Sequence, residues 1–130
     1  MLLLFETLIC FVSYYLTYFL NHNKKFGPIK ASVTIALPIG LIYQTAIYFH
    51  FENDILYKCI TIIMGATFMG MISNKYKHTI IDFIISSFIF CSLYNHTSNY
   101  FNGFGGLLGT IACMSIICVF GINKILSFIK

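Results

Sequence analysis

The sequence predicts an all-α integral membrane protein, a compact bundle of five transmembrane helices joined by short loops, with the N-terminus outside and the C-terminus inside. Three observations carry that expectation. The 130-residue chain is 58% hydrophobic and only 9% charged, with a mean hydropathy of +0.84, far from the roughly 25% charged residues of an ordinary soluble domain. Its apolar residues fall into five runs, about 2–20, 31–49, 55–73, 79–94 and 104–120. Its basic residues are all lysines, and they crowd into alternate gaps between those runs.

A helix needs about 20 mostly apolar residues to cross a hydrocarbon core about 30 Å thick, so five crossings use on the order of 100 residues. About 30 remain for connections, too few for a soluble domain, and one domain over 1–130 is expected. The first run opens without basic residues, carries Glu6 early and is followed by Lys24 and Lys25 rather than by a small-residue cleavage site. It reads as a retained helix and not as a signal peptide. The second run contains Pro38, whose missing N–H and clash with the carbonyl of Thr34 predict a bend. A bend frees a carbonyl, which at membrane depth must be buried in protein or line a wet cavity; Gln44, further along the helix, would project into the same space.

The third run holds Ala66 and Gly70 four residues apart amid methionines. The fourth is the shortest and carries Asp82, Ser86, Ser87 and Ser92, so it is the run with the weakest claim to a full crossing. The fifth begins with Gly105 and Gly109 in a G-x-x-x-G pattern. Together with Ala36 and Gly40 in the second run, these pairs give three helices a small-xxx-small face. Lipid tails are as apolar as leucine, so helices in a bilayer associate by close packing, which such faces permit. They are expected to serve packing within the bundle and, above all on the fifth helix, self-association.

Direction follows from the lysines. Lys24, Lys25 and Lys30 lie in the first gap, Lys75 and Lys77 in the third, and Lys124 and Lys130 in the tail, whereas the second gap holds only Lys58 and the fourth none. Short positively charged loops stay on the cytoplasmic side, so this seven-to-one bias predicts a single orientation, N-out and C-in, and parallel subunits in any oligomer. Abundant lysine, isoleucine and asparagine suggest an AT-rich bacterium and hence the inner, cell membrane.

Ionisable residues inside membrane spans are functional candidates by default. Glu6 and Asp82 are the two such acids, each about one turn from a helix end, where pairing with a lysine or reaching headgroup water is the competing explanation. His78 precedes Asp82 by four residues, so the two would share a helical face at the inner mouth. The candidate pathway is therefore Asp82, His78, Gln44, Pro38 and Glu6. The four histidines sit in the inter-helix gaps, and the five cysteines form no C-x-x-C pair. Neither a metal site, nor a cofactor, nor a disulfide framework is expected. No catalytic or nucleotide-binding motif occurs, so an enzyme is not expected, and dispersed lysines do not make a nucleic-acid stripe. The expected partners are the lipid bilayer and either further copies of this chain or another membrane protein. Two functions fit: a homo-oligomeric channel or carrier for an ion or small solute, or a non-catalytic subunit or anchor of a larger membrane complex.

Overall fold

The computed structural model describes residues 2–23, 27–49, 54–72, 79–97 and 106–129, and forms five helices: α1 (Leu2–Asn23), α2 (Pro28–Tyr48), α3 (Asp54–Met69), α4 (Ile80–Thr97) and α5 (Leu107–Ile129). Four of them, α1, α2, α4 and α5, are long and apolar enough to cross a membrane. The short element is α3 and not, as the sequence suggested, α4. Its 16 residues reach about 24 Å at roughly 1.5 Å per residue. The run expected over 55–73 stops early because the chain turns at Gly70 and Met71. There Asn21 of α1 donates through Nδ2 to the carbonyls of Gly70 (3.4 Å) and Ile72 (3.1 Å). A side chain from a neighbouring helix thus serves carbonyls that the end of a helix leaves without intrahelical partners. By contrast α4 runs to Thr97 and α5 to Ile129, both beyond their expected ends.

Helix starts follow local chemistry. Gly27 takes a positive φ of 83° ahead of α2, and Pro28 occupies the first helical position, where its fixed φ fits and no N–H is needed. At the start of α4 the Asp82 carboxylate accepts from the Thr79 backbone N–H at 2.8 Å, the reaching-back half of a capping box. Pro38 lies in α2 without interrupting it.

On α1 and α4 much of the buried face is polar while the exposed face is apolar, the reverse of a helix in a soluble bundle. On α1 the buried face is Glu6, Cys10, Ser13, Tyr14, Thr17 and Asn21, while Leu4, Phe5, Leu8, Val12, Leu16 and Phe19 are exposed. On α4, Asp82, Ser86 and Ser87 are buried beside Phe83, Phe90 and Cys91, and Ile80, Ile81, Ile84 and Phe88 are exposed. Water would drive the opposite arrangement, since it rewards burial of apolar area. An apolar solvent reverses the preference, because polar groups then find partners only inside.

The helices alternate in direction. α1 and α4 run antiparallel in constant register: Glu6 meets Asn95, Cys10 meets Cys91, and Tyr18 meets Phe83. α1 and α3 run parallel, with Glu6 at Lys58 and Thr17 at Gly70. α2 crosses α3 antiparallel through Ser32–Thr67 and Tyr43–Tyr57, and α5 returns beside α4 through Asn123–Asp82. The ends of α1, α3 and α5 and the starts of α2 and α4 accordingly share one side, the side the lysine-rich gaps adjoin.

Two of the three small-residue faces are consumed internally. A methyl group at Gly70 would run into the Thr17 side chain and approach the Tyr18 nitrogen at 3.1 Å; one at Gly65 would run into the Phe90 ring. Ala66 is fully buried and Gly40 faces Met64, with Ala36 half-buried on the same helix. On α5, a methyl group at Gly109 would meet no neighbouring element within 4 Å, so that face is open; Gly105 lies outside the described residues. Gly70→Val should therefore destabilise the bundle by about 1–3 kcal/mol, the usual cost of overpacking, while Gly109→Ala should leave unfolding unchanged, as measured by denaturant titration in detergent.

Candidate functional site

The polar groups on the inner faces of α1 and α4 form a seam with a charged cluster near each end. At the end where α1 begins, Glu6 is 2% exposed and pairs with Lys58 Nζ at 2.8 Å. Its second oxygen accepts from Asn95 Nδ2 at 2.7 Å. Lys58, counted with the second gap although it falls within the third apolar run, lies in the second turn of α3, with about a third of its side chain exposed. That geometry suits a lysine whose stem runs along apolar surface while its ammonium reaches a buried carboxylate. One carboxylate, one ammonium and one amide tie three helices together, and the formal charge within the cluster is zero.

At the other end Asp82 is buried, and Asn123 Nδ2 donates to its Oδ1 at 2.9 Å while the Thr79 N–H donates to its Oδ2. The sequence placed His78 beside Asp82; His78 lies outside the described residues, and the partner that tertiary structure supplies is Asn123, 41 residues further along. Asp82 thus caps α4 and binds α5 in the same act. Asn21, through its bonds to Gly70 and Ile72, joins α1 to α3 at this end. Asn21 lies fifteen positions after Glu6 on α1, about 22 Å at roughly 1.5 Å per residue. That span is somewhat shorter than a hydrocarbon core, about 30 Å, with one charged or amide cluster at each end.

Between the clusters the seam is narrow and uncharged. Cys10 and Cys91 meet at its centre with Ser87 beside Cys10, and Ser13, Thr17 and Ser86 are buried along it. Several hydroxyls return to their own helices: Thr17 donates to the Ser13 carbonyl and Ser86 to the Asp82 and Phe83 carbonyls. These are the bonds by which serine and threonine satisfy themselves in a helix buried from water. Tyr14 and Phe90, fully buried, close the seam, with Phe83 packed on the Tyr14 ring at 4.6 Å.

Of the five pathway candidates, the structure brings Glu6 and Asp82 to opposite ends of one seam. It sets Pro38 and Gln44 on the exposed surface of α2 instead, since the inner face of that helix is taken by Ala31, Ser32 and Gly40 against its neighbours. Four residues that matter to the seam do not stand out in the sequence: Lys58, Asn95, Asn21 and Asn123. Asn21 does carry a signal, because Glu6, Cys10, Ser13, Thr17 and Asn21 recur at helical spacing on one face; that periodicity is polar rather than apolar. Among the described residues no group of three or more histidine, cysteine or acidic side chains is placed to hold a metal ion.

No known protein family, curated protein or solved structure matches the chain.

Removing one member of a buried pair strands the other. Lys58→Met should cost about 3 kcal/mol by leaving Glu6 uncompensated, and Glu6→Gln in the same chain should restore much of the loss. Unfolding midpoints of the two single variants and the double variant measure this coupling.

Proposed function

We propose that this chain is a multi-pass protein of the cell membrane, oriented N-out and C-in, that carries an ion or small polar solute along the α1–α4 seam. The observation behind the reading is the inverted polarity of α1, whose buried face is polar along its length and bears an acid at its outer end. Polar residues inside a membrane bundle are expensive and concentrate on pathways. Packing by Tyr14 and Phe90 argues for a carrier or a gated path rather than a standing pore, because conduction requires these side chains to part.

Self-association in parallel orientation fits the same picture. The exposed small-residue face of α5 around Gly109 and Thr110 is open, and loop charge favours one orientation. That open face also supports the second reading, a non-catalytic subunit or anchor docked on a larger membrane protein. Size after mild detergent extraction separates the two: a discrete oligomer of this chain alone favours the carrier, and an obligatory second polypeptide favours the subunit.

Two measurements test the proposal. In proteoliposomes the purified chain should pass small ions or solutes, and Glu6→Gln and Asp82→Asn should each reduce the flux at least about tenfold, the scale of a lost charged contact; no flux across a panel of ions and small solutes would reject transport. For orientation, a single cysteine replacing Lys30 should react only with reagent on the cytoplasmic side and one replacing Asp54 only with reagent outside. Labelling of both from one side would reject the topology.

A further inference from the structure

Glu6 and Lys58 form an ion pair whose two members are held unequally. The Glu6 carboxylate is buried, and its Oε2 accepts a hydrogen bond of 2.7 Å from Asn95 Nδ2 on α4. Its Oε1 has Lys58 Nζ at 2.8 Å but makes no hydrogen bond of ordinary geometry, so charge alone holds that contact. Lys58 reaches it from a side chain that is 34% exposed, on a flexible four-carbon stem. The planar fork of an arginine would grip a carboxylate at two points, whereas an ammonium is a point charge. When the pair opens, Lys58 is therefore the member that leaves, and Glu6 stays, fixed by its helix and by Asn95. What stays decides the sign of the ligand. A buried carboxylate stripped of its counter-charge is strongly unfavourable, so a second positive charge is required in place of the first. An anion would require the reverse, departure of the buried and hydrogen-bonded member. The other end of the seam has the same sign. Asp82 receives the Asn123 amide and the Thr79 N–H, both neutral, and among the described residues it forms no ion pair. Between the two ends the buried hydroxyls of Ser13, Thr17 and Ser86 carry no charge. One ammonium against two carboxylates leaves the seam net negative, which attracts cations and repels anions.

We infer that Glu6, steadied by the Asn95 amide, is a binding site for a small ammonium-type cation, ammonium itself or a protonated primary amine, and that Lys58 is its built-in occupant, displaced when a free cation binds. The ligand class follows from the group the site already accepts, a primary ammonium at 2.8 Å from Oε1. No covalent bond changes. One positive charge replaces another beside the carboxylate, and the Lys58 ammonium moves out along its exposed side. Because Lys58 comes from α3 while Glu6 and Asn95 come from α1 and α4, the exchange releases α3 from the other two helices at this end of the bundle. That the bound cation is also the species carried along the seam rests on the proposed function; the site itself does not, and binding is measured without flux.

The test is equilibrium dialysis of the full chain in detergent against labelled methylammonium. The wild-type chain should bind it saturably, and Glu6→Gln should abolish binding. Lys58→Met, which removes the internal competitor, should tighten binding severalfold; since that variant is destabilised, the comparison of wild type with Glu6→Gln decides the matter without it. Unlabelled ammonium should displace the probe and sodium at the same ionic strength should not. Absence of saturable binding in both the wild type and Lys58→Met would overturn the site, and so would undiminished binding to Glu6→Gln. Displacement by sodium as effective as by ammonium would overturn the ammonium assignment. In proteoliposomes labelled methylammonium should enter and labelled chloride should not. Entry of anions or neutral solutes with methylammonium excluded would overturn the cation as cargo while leaving transport intact. Methylammonium binding with no flux of any solute would uphold the site and count against the proposed function alone.

Discussion

Everything in this bundle depends on polar side chains of α1 and α4 that are buried and find their partners on neighbouring helices. In an aqueous protein a glutamate or asparagine on a helix meets solvent on the outer face, and apolar side chains are driven in. Here the outer face is Leu4, Leu8, Leu16 and their like, so Glu6, Cys10, Ser13, Thr17 and Asn21 must be satisfied within. Few geometries do this. Asn95 has to arrive opposite Glu6, which sets the register of α4, and Lys58 has to arrive beside it, which sets the register of α3. Hydrogen bonds and an ion pair therefore perform the alignment that apolar side chains perform in a soluble core.

The close approach of helices then follows from small residues. Gly65 and Gly70 let the Phe90 ring and the Thr17 side chain lie directly against the α3 backbone, and dispersion over these contacts supplies short-range attraction between the helices. Polar pairs select the register and glycines set the distance. These roles are complementary: an ion pair alone tolerates several separations, and a glycine face alone slides along its helix. The same division explains why α3 can be short. Asn21 completes its last turn from outside, so the helix needs no further residues to end.

Much of this is legible in the chain alone. Hydropathy locates all five helices, and the lysine bias agrees with the alternation of direction that the cross-helix pairs establish. The one lysine that breaks the bias has a specific cause, since Lys58 is the counter-ion of Glu6 rather than a loop charge. Length is less legible. The fourth run looks weak because Asp82, Ser86 and Ser87 lower its hydropathy, yet those residues face inward, where hydropathy measured against lipid does not apply. The third looks complete, yet it stops at Met69. Pro38 and Gln44 draw attention as helix-breaking or polar residues in an apolar run, and they lie on the exposed side of α2, because one-dimensional spacing does not say which face a helix buries.

The sequence by itself determined the apolar character of this protein, its five helices and the alternating sense of its chain, since composition and loop charge are sums along the chain and need no partner. Tertiary structure alone decided that Glu6 belongs with Lys58 and Asn95, Asp82 with Asn123, and Cys10 with Cys91, because residues 41 to 89 positions apart are joined only when helices pack in one register. That register is fixed by the pairing of buried polar groups, a property of two surfaces together and of neither segment alone.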